Sequence, residues 1–417
     1  MKCNICKDCP KVPITELLSF IVDNRGKTVP TVPYGHKLIA TNCVTNNTLF
    51  PIYEKVRYLS DETYHTWFRA HPVPGDILFV NKGTPGRVCM VPDPVDFCIA
   101  QDMIALRADD TKIYNKYLFA VLRSWEIQQQ IYNTSVGDVI PHFKKQFLDQ
   151  LLIPVPDRSI QKDIGDSYYL FSYKIELNNK INENLEQQAV LLFKKWFTDF
   201  DNTPCQMIET QFGKIPSTFK IMKNAELPMT VTDYVANGSF ASLKANVTLY
   251  QEPNYAYFIR NTDLKSGTFE VFVDEHSYRF LSKSTLYGGE IIISNVGDVG
   301  SVFLCPKLDK PMTLGNNIIM LRTEKKNLQY YLYIWFKWLH GQSLIQRIKG
   351  GSAQPKFNKT DFKNLPVFLP DDALLEQFHQ TVKPMFELID INNAESQSLI
   401  ATRDTLLPKL MNGEIDI

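Results

Sequence analysis

Three constellations in this chain carry residue types suited to chemistry. Cys3, Cys6 and Cys9 form C-x2-C-x2-C, the opening of a zinc or iron–sulfur site, but such a site needs four ligands and Cys43 is the only further cysteine nearby. Gly26-Lys27-Thr28 ends like a phosphate-binding loop, yet Ile21 stands where its first glycine must be. GTPG from Gly83 and GDVG from Gly297 contain close glycines, but a dinucleotide fingerprint opens a helix and here an apolar strand follows, so both read as hairpin turns. Neither G-x-S-x-G nor H-E-x-x-H occurs. A nuclease would cluster carboxylates beside a lysine, whereas Asp157 and Asp371 each follow a proline, where aspartate caps a helix. A base methyltransferase would need a glycine-rich cofactor loop and an Asn/Asp-Pro-Pro-aromatic tetrapeptide, and both are missing. The chain reads as non-catalytic, with no metal and no cofactor of its own.

What remains is a set of polar side chains in turns. Arg25, Lys27, Lys82, Thr84, Arg87, Gln101, His142, Lys144 and Lys145 take turn-like positions in the first half of the chain. Ser294, Asn295, Asp298, Asn316, Asn317, Lys349, Ser352, Gln354, Lys356 and Lys359 do so in the second. Lysine and arginine neutralise phosphates, while asparagine, glutamine and arginine can make two-point hydrogen bonds to base edges. A plain solvated surface uses the same types, so no one of these residues identifies an interface alone. The formal net charge is zero, but it divides into +2 over residues 1–155, −1 over 156–200, +5 over 201–370 and −6 over 371–417. Positive charge therefore collects where the candidate loops are, as contact with phosphate requires.

The elements that must position these loops are set by an internal repeat. GDILFVNKGTPGRVCMV from Gly75 returns as GEIIISNVGDVGSVFLC from Gly289, and the offset of 214 also pairs Tyr117 with Tyr331, Pro141 with Pro355, Phe143 with Phe357 and Pro156 with Pro370. DILFV and EIIIS have the β-branched and aromatic content of strands. YLFAVLRSWEIQQQIY and YYLYIWFKWLHGQSLIQRI each read as an amphipathic helix, and LLIPVP and LPVFLP as a last short strand. From Pro156 to Phe200, Ile160, Ile164, Tyr168, Phe171, Ile175, Ile181, Leu185, Leu192 and Trp196 fall on one stripe of a helix, which at about 1.5 Å per residue is roughly 65 Å long. Leu374, Phe378, Val382, Phe386, Ile389, Leu399 and Leu406 form a second stripe from Asp371, which Pro384 should kink or interrupt. Two such stripes can bury each other. Ile164, Phe171, Ile175, Leu185, Leu192, Trp196, Phe378, Val382, Ile389, Leu399 and Leu406 are the expected helix-pairing and partner-docking positions.

The expected fold class is α+β: two similar mixed α/β domains separated by two long antiparallel helices in a pseudo-twofold tandem repeat. The expected boundaries are 1–155 for the first domain, 156–200 for the central helix, 201–370 for the second domain and 371–417 for the last helix. At 417 residues the chain exceeds one hydrophobic core, and its 44% apolar and 22% charged composition is that of a globular protein. Eight cysteines without an apolar leader point to reduced thiols and a cytoplasmic location.

The whole pattern resembles the specificity subunit of Type I restriction-modification systems. In the first half the resemblance rests on DNRGKTVP, the GDILF hairpin and IPVPDRSIQKDI running into KIELNNKINENLEQQAVLLFKKWFTDF; in the second, on FGKIPSTF, DYVANGSFASLK, GEIIISNVGDVGSVF, MTLGNNIIMLR and TLLPKLMNGEIDI. The resemblance implies two target-recognition domains, each reading one half of a bipartite DNA site, with coiled-coil spacer helices that dock two methyltransferase (modification) subunits. It further implies that the methyl donor, ATP and Mg belong to partner subunits, including two restriction (translocase) subunits, and that the system serves host defence. A protein–protein scaffold using only the helices, or a stand-alone DNA-modifying enzyme, are the alternatives.

Overall fold

The structure is a computed structural model that describes residues 9–24, 27–137, 139–201, 206–351, 354–411 and Glu414. It divides into two compact units, residues 1–181 with 392–417, and residues 182–391. These units do not follow the chain as consecutive segments. Each takes in parts of both long helices.

The first unit is built on a four-stranded antiparallel sheet of β1 (Leu18–Asp23), β2 (Ile77–Val80), β3 (Val88–Met90) and β4 (Met103–Ala108), in the order β1-β4-β2-β3. All four side chains of β2 are buried, because the sheet is covered on both faces. Its alternation sorts them into two cores: Ile77 and Phe79 pack with Tyr117, Leu118 and Ile131, and Leu78 and Val80 pack with Ile39, Phe97 and Ile99. The first layer comes from α1 (Asn115–Leu122) and α2 (Trp125–Thr134). The second is a small sheet of His36–Ile39 between Arg57–Leu59 and Phe97–Ile99. The single helix expected over YLFAVLRSWEIQQQIY is thus two, because the Ser124 side chain accepts from the Ile127 amide and starts a new one. After Leu152–Pro154, α3 runs from Arg158 to Phe197.

The second unit repeats the plan. Strands β5 (Met229–Asp233), β6 (Ile291–Ser294), β7 (Val302–Leu304) and β8 (Ile318–Thr323) pair in the order β5-β8-β6-β7. Helices α4 (Lys326–Lys337) and α5 (Leu339–Ile348) cover one face. A five-stranded sheet, with Ala256–Ile259 parallel to Met312–Leu314, takes the place of the three-stranded one. The halves therefore differ in this second sheet, three-stranded in one and five-stranded in the other. The buried Tyr117 hydroxyl donates to the Pro154 carbonyl and the Tyr331 hydroxyl to the Phe368 carbonyl, both pairs keeping the offset of 214.

The last helix, α6, runs unbroken from Asp372 to Met411, and the Asp371 carboxylate accepts from the Leu374 amide at its start. Pro384 does not interrupt it. Its ring and Gln380, the residue whose carbonyl loses a partner, are both exposed, so water can satisfy that carbonyl. In the first unit, Tyr168 and Ser172 of α3 meet Arg403, Lys174 meets Glu395, and Asn178 meets Asn392, an antiparallel order. In the second, Glu186 reaches Tyr333, which touches Phe386, while Phe193, Trp196 and Phe197 surround Phe378. All eleven expected pairing positions are buried or half-buried. The stripe also includes Ala189, Phe193, Phe197, Leu407, Leu410 and Met411 in the cores.

Candidate nucleic-acid interface

In the first unit, the strand ends gather the polar loops at one end of the sheet. Asp23 closes β1 opposite Ile104, and Val80 closes β2 opposite Met103. Lys27, the hairpin from Lys82 to Arg87, and Gln101 therefore emerge together. The loop after α2 joins them: the Gly83 amide donates to the Pro141 carbonyl at 2.9 Å, the Phe143 amide to the Asn81 carbonyl at 2.8 Å, and Asn81 Nδ2 to the Phe143 carbonyl at 3.2 Å. Those bonds bring His142 opposite Lys82 and carry Lys144 and Lys145 to the same end. Gly83 and Gly86 have φ of 85° and 90°, which glycine adopts without the Cβ clash that other residues suffer. Lys27, Lys82, Arg87, Lys144 and Lys145 are exposed, and Thr84, Gln101 and His142 half-buried. Arg25 lies outside the described residues.

The second unit builds the same end from the same bonds. The Gly297 amide donates to the Pro355 carbonyl at 2.8 Å, the Phe357 amide to the Asn295 carbonyl at 3.0 Å, and Asn295 Nδ2 to the Phe357 carbonyl at 3.4 Å. Asn316 and Asn317 form an exposed turn at the start of β8, with Asn317 at φ 64°, a left-handed conformation that asparagine tolerates. Lys349, Gln354 and Lys356 are exposed around them, Asp298 sits in the hairpin, and Ser352 lies outside the described residues.

Several candidates are not the free loop groups expected. Ser294 is fully buried as the last residue of β6. Asn295 is half-buried, with its amide on the Phe357 carbonyl, and so holds the loop rather than projecting from it. Lys359 is half-buried and paired with Asp233 at 2.9 Å, and Lys145 is paired with Asp23 in the matching place. Asp298 is engaged by Lys265 at 2.8 Å. The sequence reading missed those partners, Asp23, Asp233 and Lys265, because each lies far along the chain. It also missed Val139 and Ile140, exposed at 93% and 56% beside His142, for which adjacent β-branched residues in a loop without a strand partner were the signal. Cys3 and Cys6 lie outside the described residues; among the described residues no group of three or more His, Cys, Asp or Glu could hold a metal ion.

Two copies of one sheet-and-helix domain, each with a hairpin bonded to a cationic loop, define a tandem-repeat α+β protein. The chain belongs to the family described as the Type I restriction modification DNA specificity domain, whose profile matches residues 32–187 and 231–400. It is 25% identical over 352 residues to the Type I restriction enzyme MjaIX specificity subunit of Methanocaldococcus jannaschii, covering 82% of this chain and 78% of the relative. It is 22% identical over 409 residues to the HindI specificity subunit of Haemophilus influenzae, covering 82% and 86%. The crystal structure of the S subunit of a Type I restriction-modification system from M. genitalium matches with a TM-score of 0.53 at 17% identity, over 98% of each chain. The function is accordingly that of a DNA specificity subunit in a Type I restriction-modification complex. No helix among the described residues is long and apolar enough to cross a membrane.

Proposed function

We propose that this chain is the non-catalytic reader of a bipartite DNA site, with each unit contacting one half-site through the loop end of its four-stranded sheet. The observation that carries this reading is the repeated hairpin-to-loop clamp, which presents Lys27, Lys82, Arg87 and Lys144 in one unit and Asn316, Asn317, Lys349 and Lys356 in the other. Lysines hold phosphates and set register, while arginine and the asparagine pair have the donor–acceptor pattern that reads base edges. Two like scaffolds with unlike loops would read two unlike half-sites. The long helices would space them about 34–36 Å apart, one turn of DNA, and dock two methyltransferase subunits. The methyl donor, ATP and Mg would be bound by the methyltransferase and restriction subunits, all in the cytoplasm.

Methylation-sensitive sequencing with the purified complex tests the reading: methylation should appear only at one bipartite motif with a fixed unread gap, and methylation without sequence preference would sink it. The loop assignment has its own test. Replacing Lys82, Lys144, Lys349 and Lys356 with glutamine should flatten the log–log salt dependence of DNA binding by roughly 0.9 for each phosphate that is no longer neutralised. An unchanged slope would move the interface elsewhere and favour a scaffold role for the helices.

A further inference from the structure

The two units close their cores with different chemistry at repeat-equivalent positions. In the first, Arg403 of α6 is buried with its guanidinium 5.3 Å from the Tyr168 ring centre and Nη1 3.5 Å from Ser172 Oγ. Leu407, Leu410 and Met411 pack beside Ile164 and Tyr168. Nearby, Arg123 Nη2 donates to the carbonyls of Thr45, Thr48 and Val88. In the second unit the 214-residue counterpart of Arg403 is Ala189, and those of Tyr168 and Ser172 are Val382 and Phe386. Leu407, Leu410 and Met411 become Phe193, Trp196 and Phe197, which enclose Phe378 at ring distances of 6.0, 5.8 and 5.0 Å. The counterpart of Arg123 is Lys337, whose Nζ lies 2.5 Å from the Glu186 carboxylate that also accepts from the Tyr333 hydroxyl. The position equivalent to Glu186 in the other half is Ile400.

We infer that these contacts form a pairing code: the first half of the chain accepts the second half as its helix partner and rejects another copy of itself, and the second half does likewise. A second-half homodimer would put the Arg403 guanidinium against Val382 and Phe386, with neither Tyr168 nor Ser172 to meet it. The same dimer would place Ile400 where Tyr333 and Lys337 need a carboxylate. The first fault leaves the buried guanidinium only its Nε bond to Asp404, and the second leaves the buried Tyr333 hydroxyl only Lys337, so each removes a polar partner inside the core, which costs more than an imperfect apolar fit. A first-half homodimer would force Phe193, Trp196 and Phe197 into the space of Leu407, Leu410 and Met411. Overpacking of that kind strains a close-packed core. Glu186 would also meet Phe119, which lacks the hydroxyl that Tyr333 donates to it. Specificity here comes from mismatches against the wrong partner as much as from contacts to the right one.

The test keeps the whole protein. A protease site placed between Asp201 and Gln206 of the intact chain is cut after purification, the nicked protein is unfolded in urea and refolded, and native mass spectrometry reads which fragments pair. Random pairing would give the two homodimers and the heterodimer as one to two to one. The code predicts a ratio of heterodimer to total homodimer about tenfold or more above the random one to one, and a random distribution overturns it. Where refolding is incomplete, equilibrating heavy- and light-isotope nicked protein in urea below its unfolding midpoint reads the same ratio. The sharper arm is the nicked variant E186I/A189R/F193L, which gives the first half the second half's identities at three code positions. It should lose heterodimer and gain first-half homodimer, with the introduced guanidinium taking the place of Arg403 over Tyr168. Loss of heterodimer with no such homodimer would mean these residues are merely structural, and the inference fails.

Discussion

Single residues show both what a one-dimensional reading can reach and where it stops. Asn81 and Asn295 were visible as matched positions of the repeat, but only the fold shows that each amide is engaged by a loop carbonyl, so that Asn295 fastens the candidate surface instead of projecting from it. Ser294 was misjudged for a related reason. A strand's final residue and a turn's first one look alike in sequence, and burial decides between them. Three histidines give a pH prediction of their own. His71, His340 and His379 all have their pKa lowered, chiefly by burial, so the folded protein binds protons less readily there than the unfolded chain does. Stability should therefore be full above about pH 6.5, the ordinary imidazole range, and fall as pH drops below it. Asp390, whose carboxyl is raised by burial, works in the opposite sense but only near the carboxylate range. The urea midpoint should decline between pH 7.5 and 5.5, and His379→Gln should lessen that decline; a flat profile would contradict it.

Elements were easier to foresee than their interruptions. The hairpins, the last strands and both long helices follow from local pattern. The breaks at Ser124 and between α4 and α5 do not, because apolar periodicity continues across them. Two helix residues sharpen the point. Gly165 sits in α3 where an added Cβ would lie 2.5 Å from the Tyr117 amide nitrogen and 2.9 Å from the Lys116 carbonyl carbon, both backbone atoms that have little room to yield. Alanine is favoured over glycine by roughly 1 kcal/mol in a helix, yet Gly165→Ala should lower the melting temperature, since the clash outweighs that gain. Pro384 runs the other way. Its site is exposed and already helical, so Pro384→Ala restores a hydrogen bond without repacking anything and should raise stability by about 1–3 kcal/mol, read by urea unfolding.

At the scale of the whole molecule, the repeat announced two like domains, and its offset recurs in the tyrosine bonds and the hairpin clamps. What it did not announce is which helix half completes which core. That depends on a core whose members lie as far apart in the chain as Ile14 and Met411, and no local signal carries it.

That long reach has a consequence for synthesis. The core around Ile14, Tyr117 and Tyr168 is completed by Leu407, Leu410 and Met411. The first unit to leave the ribosome must therefore wait, with apolar surface uncovered, until Leu407 to Met411 have been made, while residues 182–391 can close earlier. A truncation at Thr402 should accordingly injure the beginning of the protein rather than its neighbouring middle. Hydrogen exchange would show it as faster exchange in Leu18–Ala108 with Met229–Thr323 still protected, and the reverse pattern would refute it.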